Sequence, residues 1–108
     1  LEDHHDGAGT RWRYLPDGQV VGIPFATLVA RDAANVLVAG RCFSATHDAH
    51  AAVRSMAQCM AMGQAAGTAA ALAVTAGAEL RDLAFGRLRA ALAAAGAILE
   101  PGLAAAAP

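Results

Sequence analysis

Lysine is absent from this chain. All eight basic residues are Arg, set against nine Asp and Glu and four His, for a formal net charge of −1 over 108 residues. Near-neutral charge with scattered Arg leaves no basic stripe to follow a phosphate backbone, so nucleic acid is excluded as a partner. Aromatic residues are scarce as well, at 5% against 56% hydrophobic overall, so the apolar content is mostly Ala and other small residues. At about 25 cal/mol per Å² of buried apolar surface, a core of that kind gives a thin stability margin by itself. A missing partner surface is therefore expected. Cys42 and Cys59 are the two cysteines, too few for a disulfide framework or a four-ligand metal site and without Cys-x-x-Cys spacing. A reducing, cytoplasmic compartment is the default expectation. Internal repeats are lacking too.

Long runs of strongly inserting residues are missing. Ser55 to Ala78 carries no charge and matches the roughly 20 residues that span a bilayer. Yet Gln58, Gln64, Thr68 and Thr75 interrupt it, most of the rest is Ala and Gly, and Leu72 and Val74 alone among its residues drive insertion. A buried helix of a soluble protein is expected, and no membrane.

What is present reads as one modest domain. Residues 1–10 are polar and aperiodic, so a loop is expected there. Strands are expected within 11–39. Arg11 to Tyr14 and Gln19 to Phe25 look extended, and Leu15-Pro16-Asp17-Gly18 between them has the chemistry of a hairpin turn. Val36-Leu37-Val38-Ala39 is a short apolar run ended by Gly40, the pattern of a strand buried on both faces in a parallel sheet. A long helix is expected over 55–76, stopped by Gly77. Asp82 could cap a second helix over 83–95, ended by Gly96. Residues 100–108 read as a disordered, low-complexity tail.

The order buried strand, glycine turn, helix rich in small residues carries the chemistry. In open α/β sheets, ligands sit beyond the carboxyl ends of strands, where helix N-termini point. Those N-termini offer unpaired N–H groups and partial positive charge. Gly40 permits close backbone approach. Gly63 and Gly67, near Ala70 and Ala71, would let the helix pack tightly on a neighbour, which small residues four apart do in many helices without any cofactor.

From Asn35 onward the chain resembles a known family. Asn-Val-Leu-Val-Ala-Gly-Arg-Cys-Phe-Ser-Ala-Thr-His-Asp-Ala (residues 35–49), then Val53-Arg54-Ser55-Met56, Cys59-Met60-Ala61-Met62 and Gly63-Gln64-Ala65-Ala66-Gly67-Thr68-Ala69-Ala70, resemble the C-terminal end of FAD-dependent oxidoreductases. These are the flavoproteins related to the glutathione-reductase-like and fumarate-reductase-like groups. Gly22-Ile23-Pro24-Phe25 and Leu28-Val29 resemble the segment before that family's last strand. The likeness covers about Tyr14 to Leu99.

The resemblance implies an α/β fold: a β-hairpin and a short parallel-type strand followed by two α-helices, the C-terminal part of an FAD-binding Rossmann-like domain. It implies that Gly40 and Arg41 end the last strand beside the ribityl and pyrophosphate groups of FAD. Relatives often carry an acid where Arg41 stands, to accept a ribityl hydroxyl. Arg41 cannot accept, so it implies a pyrophosphate contact or a structural role. Ser55 and Met56 would open the helix facing the flavin's pyrimidine end, their N–H groups favouring charge at N1 and C2=O. Arg54 would add a full positive charge and raise the flavin potential. The dinucleotide fingerprint G-x-G-x-x-G is not met, since Gly7-Ala8-Gly9 runs into Thr10-Arg11-Trp12. With Leu1 in place of an initiator Met, the expectation is a C-terminal piece, inactive alone, whose partner is the rest of its own polypeptide. The substrate is an unidentified small molecule.

Among single residues, His47 is a candidate acid/base near the flavin edge, since imidazole titrates near neutrality. His47 and His50 at i, i+3 do not complete a metal ligand set, so no metal is expected. Met56, Met60 and Met62 read as core filler. Freed of its partner, the piece should self-associate into a homo-oligomer through exposed small-residue faces. The rival reading is an autonomous α+β interaction module, a homodimer through its Ala/Gly-rich helices.

Overall fold

The computed structural model describes residues 2–5, 9–12, 14–17 and 19–100. The architecture is mainly helical. A two-stranded antiparallel ribbon, β1 (Glu2–His5) and β2 (Gly9–Trp12), pairs Glu2 with Trp12 and His5 with Gly9. Three α-helices follow: α1 (His47–Val53), α2 (Met56–Ala76) and α3 (Phe85–Ala94), with 3-10 turns at Phe25–Leu28, Gly40–Cys42 and Leu80–Asp82.

This overturns the expected α/β fold. Among the described residues there is no hairpin joining 11–14 to 19–25 and no parallel strand at 36–39. A turn does close where Pro and Asp stand, Gln19 N–H donating to the Pro16 carbonyl at 3.0 Å, but no ladder grows from it. Among the described residues, Val36–Ala39 meets a single neighbour. Leu37 forms an isolated antiparallel bridge with Val29, flanked by Val38 N–H to Leu28 at 2.8 Å and Ala30 N–H to Val36 at 3.2 Å. A four-residue run needs neighbours on both sides to become an inner strand. Here one side alone is hydrogen-bonded, and Val36 is exposed. The reading of 1–10 as loop likewise gives way to the ribbon at residues 2–5 and 9–12. The tail expected over 100–108 lies, beyond Glu100, outside the described residues.

α2 is the spine. Its 21 residues span about 32 Å at roughly 1.5 Å per residue. Ser55, extended at ψ 163°, separates it from α1. At the far end Gly77 turns left-handed (φ 63°), and Ala78 N–H reaches back to Ala73 at 3.0 Å. That is a Schellman stop, and Gly96 (φ 86°) ends α3 in the same way. One face of α2 carries both halves of the core. Cys59, Met62, Ala65 and Ala66 pack with Leu28, Phe43 and Val53. One to two turns further on, Ala69 and Leu72 pack with Leu83, Leu88 and Leu92. Ala69, fully buried, lets α3 come close. Arg81 ties the lower end to the bridge by donating to the Ala33 carbonyl at 3.1 Å.

The opposite face of α2 is bare. Met56, Met60 and Val74 are 79%, 75% and 83% exposed, and with Gly63, Gly67 and Ala70 they repeat at alternating steps of four and three, one continuous stripe. The core-filler expectation therefore holds for Met62 and fails for Met56 and Met60. The molecule is a plate, 49 × 39 × 16 Å. Its accessible surface of 7367 Å² exceeds the about 5,500 Å² normal for a folded chain of this mass.

Candidate functional site

The Gly40–Cys42 turn sits directly against the first turn of α2. Gly40 has φ 79°, and a Cβ there would meet only Cys59, at 4.0 Å. Cys59 in turn donates its N–H to the Ser55 carbonyl at 3.0 Å. Arg41 reaches the same junction: its Nε donates to the Arg54 carbonyl at 2.9 Å. The Cys59 thiol is also directed at that carbonyl, at 3.5 Å. Sequence-distant Gly40 and Arg41 are thus brought together with Arg54 and Ser55.

Three features give this junction its chemistry. Gly40, left-handed and half-buried, places the missing side chain over Cys59 rather than over solvent. Ser55 caps α2 without a side-chain hydrogen bond, and the first turn of α2 holds no acid. Ser55, Met56 and Ala57 are exposed. A 21-residue helix that opens onto solvent in this way presents N–H donors and the positive end of its dipole to an electron-rich ligand. Arg54 adds a cation one residue earlier.

His47 opens α1 and is exposed, with Thr46 capping that helix by accepting from Ala49 N–H at 3.3 Å. Neither His47 nor Arg54 is free of interactions in the fold. His50, three residues on and so on the same side of α1, was weighed in the sequence as a metal ligand only, and its contacts are different. Its Nε2 lies 2.9 Å from the Arg41 carbonyl, and its ring stacks on buried Phe43 at 5.0 Å and 7°. The His-x-x-His spacing placed it on that face, but nothing in the sequence pointed to Phe43 as its support. Among the described residues no three His, Cys, Asp or Glu side chains come together.

Away from this junction, a concavity of about 430 Å³ lies between α2 and α3, lined by Phe25, Gln58, Met62, Leu88 and Leu92. Gln58 Oε1 is buried and, among the described residues, has no hydrogen-bond partner. α2 is also long and apolar enough to cross a membrane by length and composition, at a mean hydropathy of 1.3.

The glycine turn abuts a helix end that has no side-chain cap hydrogen bond. The chain matches the FAD dependent oxidoreductase family over residues 1–92 and belongs to that family. Comparison with curated proteins and with solved structures gives no match.

Proposed function

We propose that this chain forms the flavin-facing wall of an FAD-dependent oxidoreductase, completed by the rest of its own polypeptide. The observation that carries the reading is the Gly40–Ser55 junction. Gly40 holds a left-handed turn against Cys59, and the open α2 N-terminus beside it offers donors in need of a partner. FAD suits that donor set: its pyrimidine end is electron-rich, and its pyrophosphate is anionic. Bound FAD supplies two-electron chemistry, taking a hydride from one reactant and passing it to another.

The chain's own residues have distinct roles in this reading. Gly40 and the Arg41 peptide lie along the cofactor, with Arg41's Nε already committed to the fold. The N–H groups of Met56 and its neighbours, at the mouth left open by Ser55, stabilise negative charge as it develops. Arg54 deepens the positive potential there. His47, exposed at the head of α1, holds or gives a proton at the rim.

Completion by more of the same polypeptide is supported by three observations. The accessible surface is large, and among the described residues Val36–Ala39 is hydrogen-bonded on one side only and the Met56-to-Val74 stripe has no cover. A further strand would pair with the first, and packed helix or sheet would cover the second. Ala and Gly content, with few Leu or Ile, favours that cover over lipid. The compartment we propose is the cytoplasm.

The test is purification of the full-length protein with Gly40 intact and with Gly40→Val. Wild type should be yellow, absorbing near ~450 nm as flavin does, and Gly40→Val should lose most of that colour. Colourless wild type that takes up no added FAD would refute the reading. Clean two-state assembly of the 108-residue chain as a stable, flavin-free homodimer would favour the interaction module instead.

A further inference from the structure

We propose that His50 is a positioning residue that locks the glycine turn onto the mouth of α2. Arg41 is held at both ends. Its guanidinium Nε donates to the Arg54 carbonyl at 2.9 Å, and its own carbonyl faces His50 Nε2 at 2.9 Å. A carbonyl can only accept, so Nε2 carries the proton and donates. The neutral ring is thereby the Nε2–H tautomer. Phe43, itself buried, stacks on the imidazole at 7° and fixes the ring plane. The result is a closed brace: turn to α1 through His50, turn to the α1–α2 junction through Arg41.

The brace matters because of Gly40. Glycine moves between backbone basins with little penalty, so by itself it would let the turn swing relative to Ser55. The Arg41 carbonyl, in the Arg41–Cys42 peptide one residue beyond Gly40, is the group His50 grips. His50 thus converts a permissive residue into a fixed one. Within the flavin reading, on which this inference rests, the distance between the Gly40 backbone and the α2 donors sets how strongly reduced cofactor is stabilised.

Two isosteric substitutions isolate the hydrogen bond. A Gln amide nitrogen falls near the position of Nε2, whereas an Asn nitrogen falls near Nδ1 and cannot reach Arg41. The full-length protein carrying His50→Gln or His50→Asn is compared with wild type for flavin content, melting temperature and flavin reduction potential. His50→Asn should weaken the preference for reduced over oxidised flavin about tenfold, a drop of about 30 mV for a two-electron couple. His50→Gln should restore the wild-type potential. A His50→Asn protein that melts lower at unaltered potential would show a purely structural residue and overturn the proposal. A His50→Gln protein as impaired as His50→Asn would overturn it too, leaving the stacked ring rather than the donor as the cause. Wild type without flavin would instead refute the functional reading beneath it.

Discussion

Gly40 is the residue where conformation and proposed chemistry meet. Its φ of 79° lies in the left-handed region, while the space around a new Cβ is ordinary, with Cys59 at 4.0 Å. Gly40→Ala should therefore cost about 1–2 kcal/mol from backbone strain alone, read by chemical denaturation. Arg54 invites a cleaner test of charge. Arg41 and Cys59 use its backbone carbonyl, which Arg54→Ala retains. Loss of the guanidinium should lower flavin potential or affinity in the full-length protein, and unchanged values of both would remove the role. Gln58 makes the opposite prediction. Its Oε1, buried and unpartnered among the described residues, costs about 1–3 kcal/mol of desolvation, so Gln58→Leu should stabilise the 108-residue chain by about 1 kcal/mol in denaturation.

At the scale of elements, α2 divides into a face that folds this chain and a face that does not. Leu88, packed on Ala69, is 2% exposed, and Leu88→Ala should cost about 2–5 kcal/mol. Val74→Ser on the bare face should change stability by no more than about 0.5 kcal/mol. It should, however, reduce self-association of the isolated chain in sedimentation. The extent of α2 was legible in its uncharged run, and its end in Gly77, because a left-handed stop has a strong residue preference. Which methionines lie inside was not legible, because both faces of the helix are apolar and periodicity cannot choose between them. The sheet was misread for a related reason. Val36–Ala39 has the composition of an inner strand, yet a strand exists only with its neighbours, and here Leu28–Ala30 is the sole one it meets among the described residues. The junction of Gly40 with Ser55 was legible from family resemblance. The brace through His50 and Phe43 was not, since stacking between residues seven apart across a turn leaves no periodic mark.

For the whole molecule, the plate shape and large accessible surface go with an α2 face whose Met56, Met60 and Val74 stay exposed. The chain belongs to the FAD dependent oxidoreductase family, and the proposed remainder of such an enzyme is what would cover that surface. No G-x-G-x-x-G occurs in the 108 residues. The most direct measurement is a structure of the flavin-loaded, full-length protein. It should show the isoalloxazine pyrimidine edge within hydrogen-bonding reach of the Met56–Gln58 N–H groups, with the Gly40 turn alongside. A flavin bound elsewhere, with protein rather than cofactor covering Gly40 and the start of α2, would contradict the account.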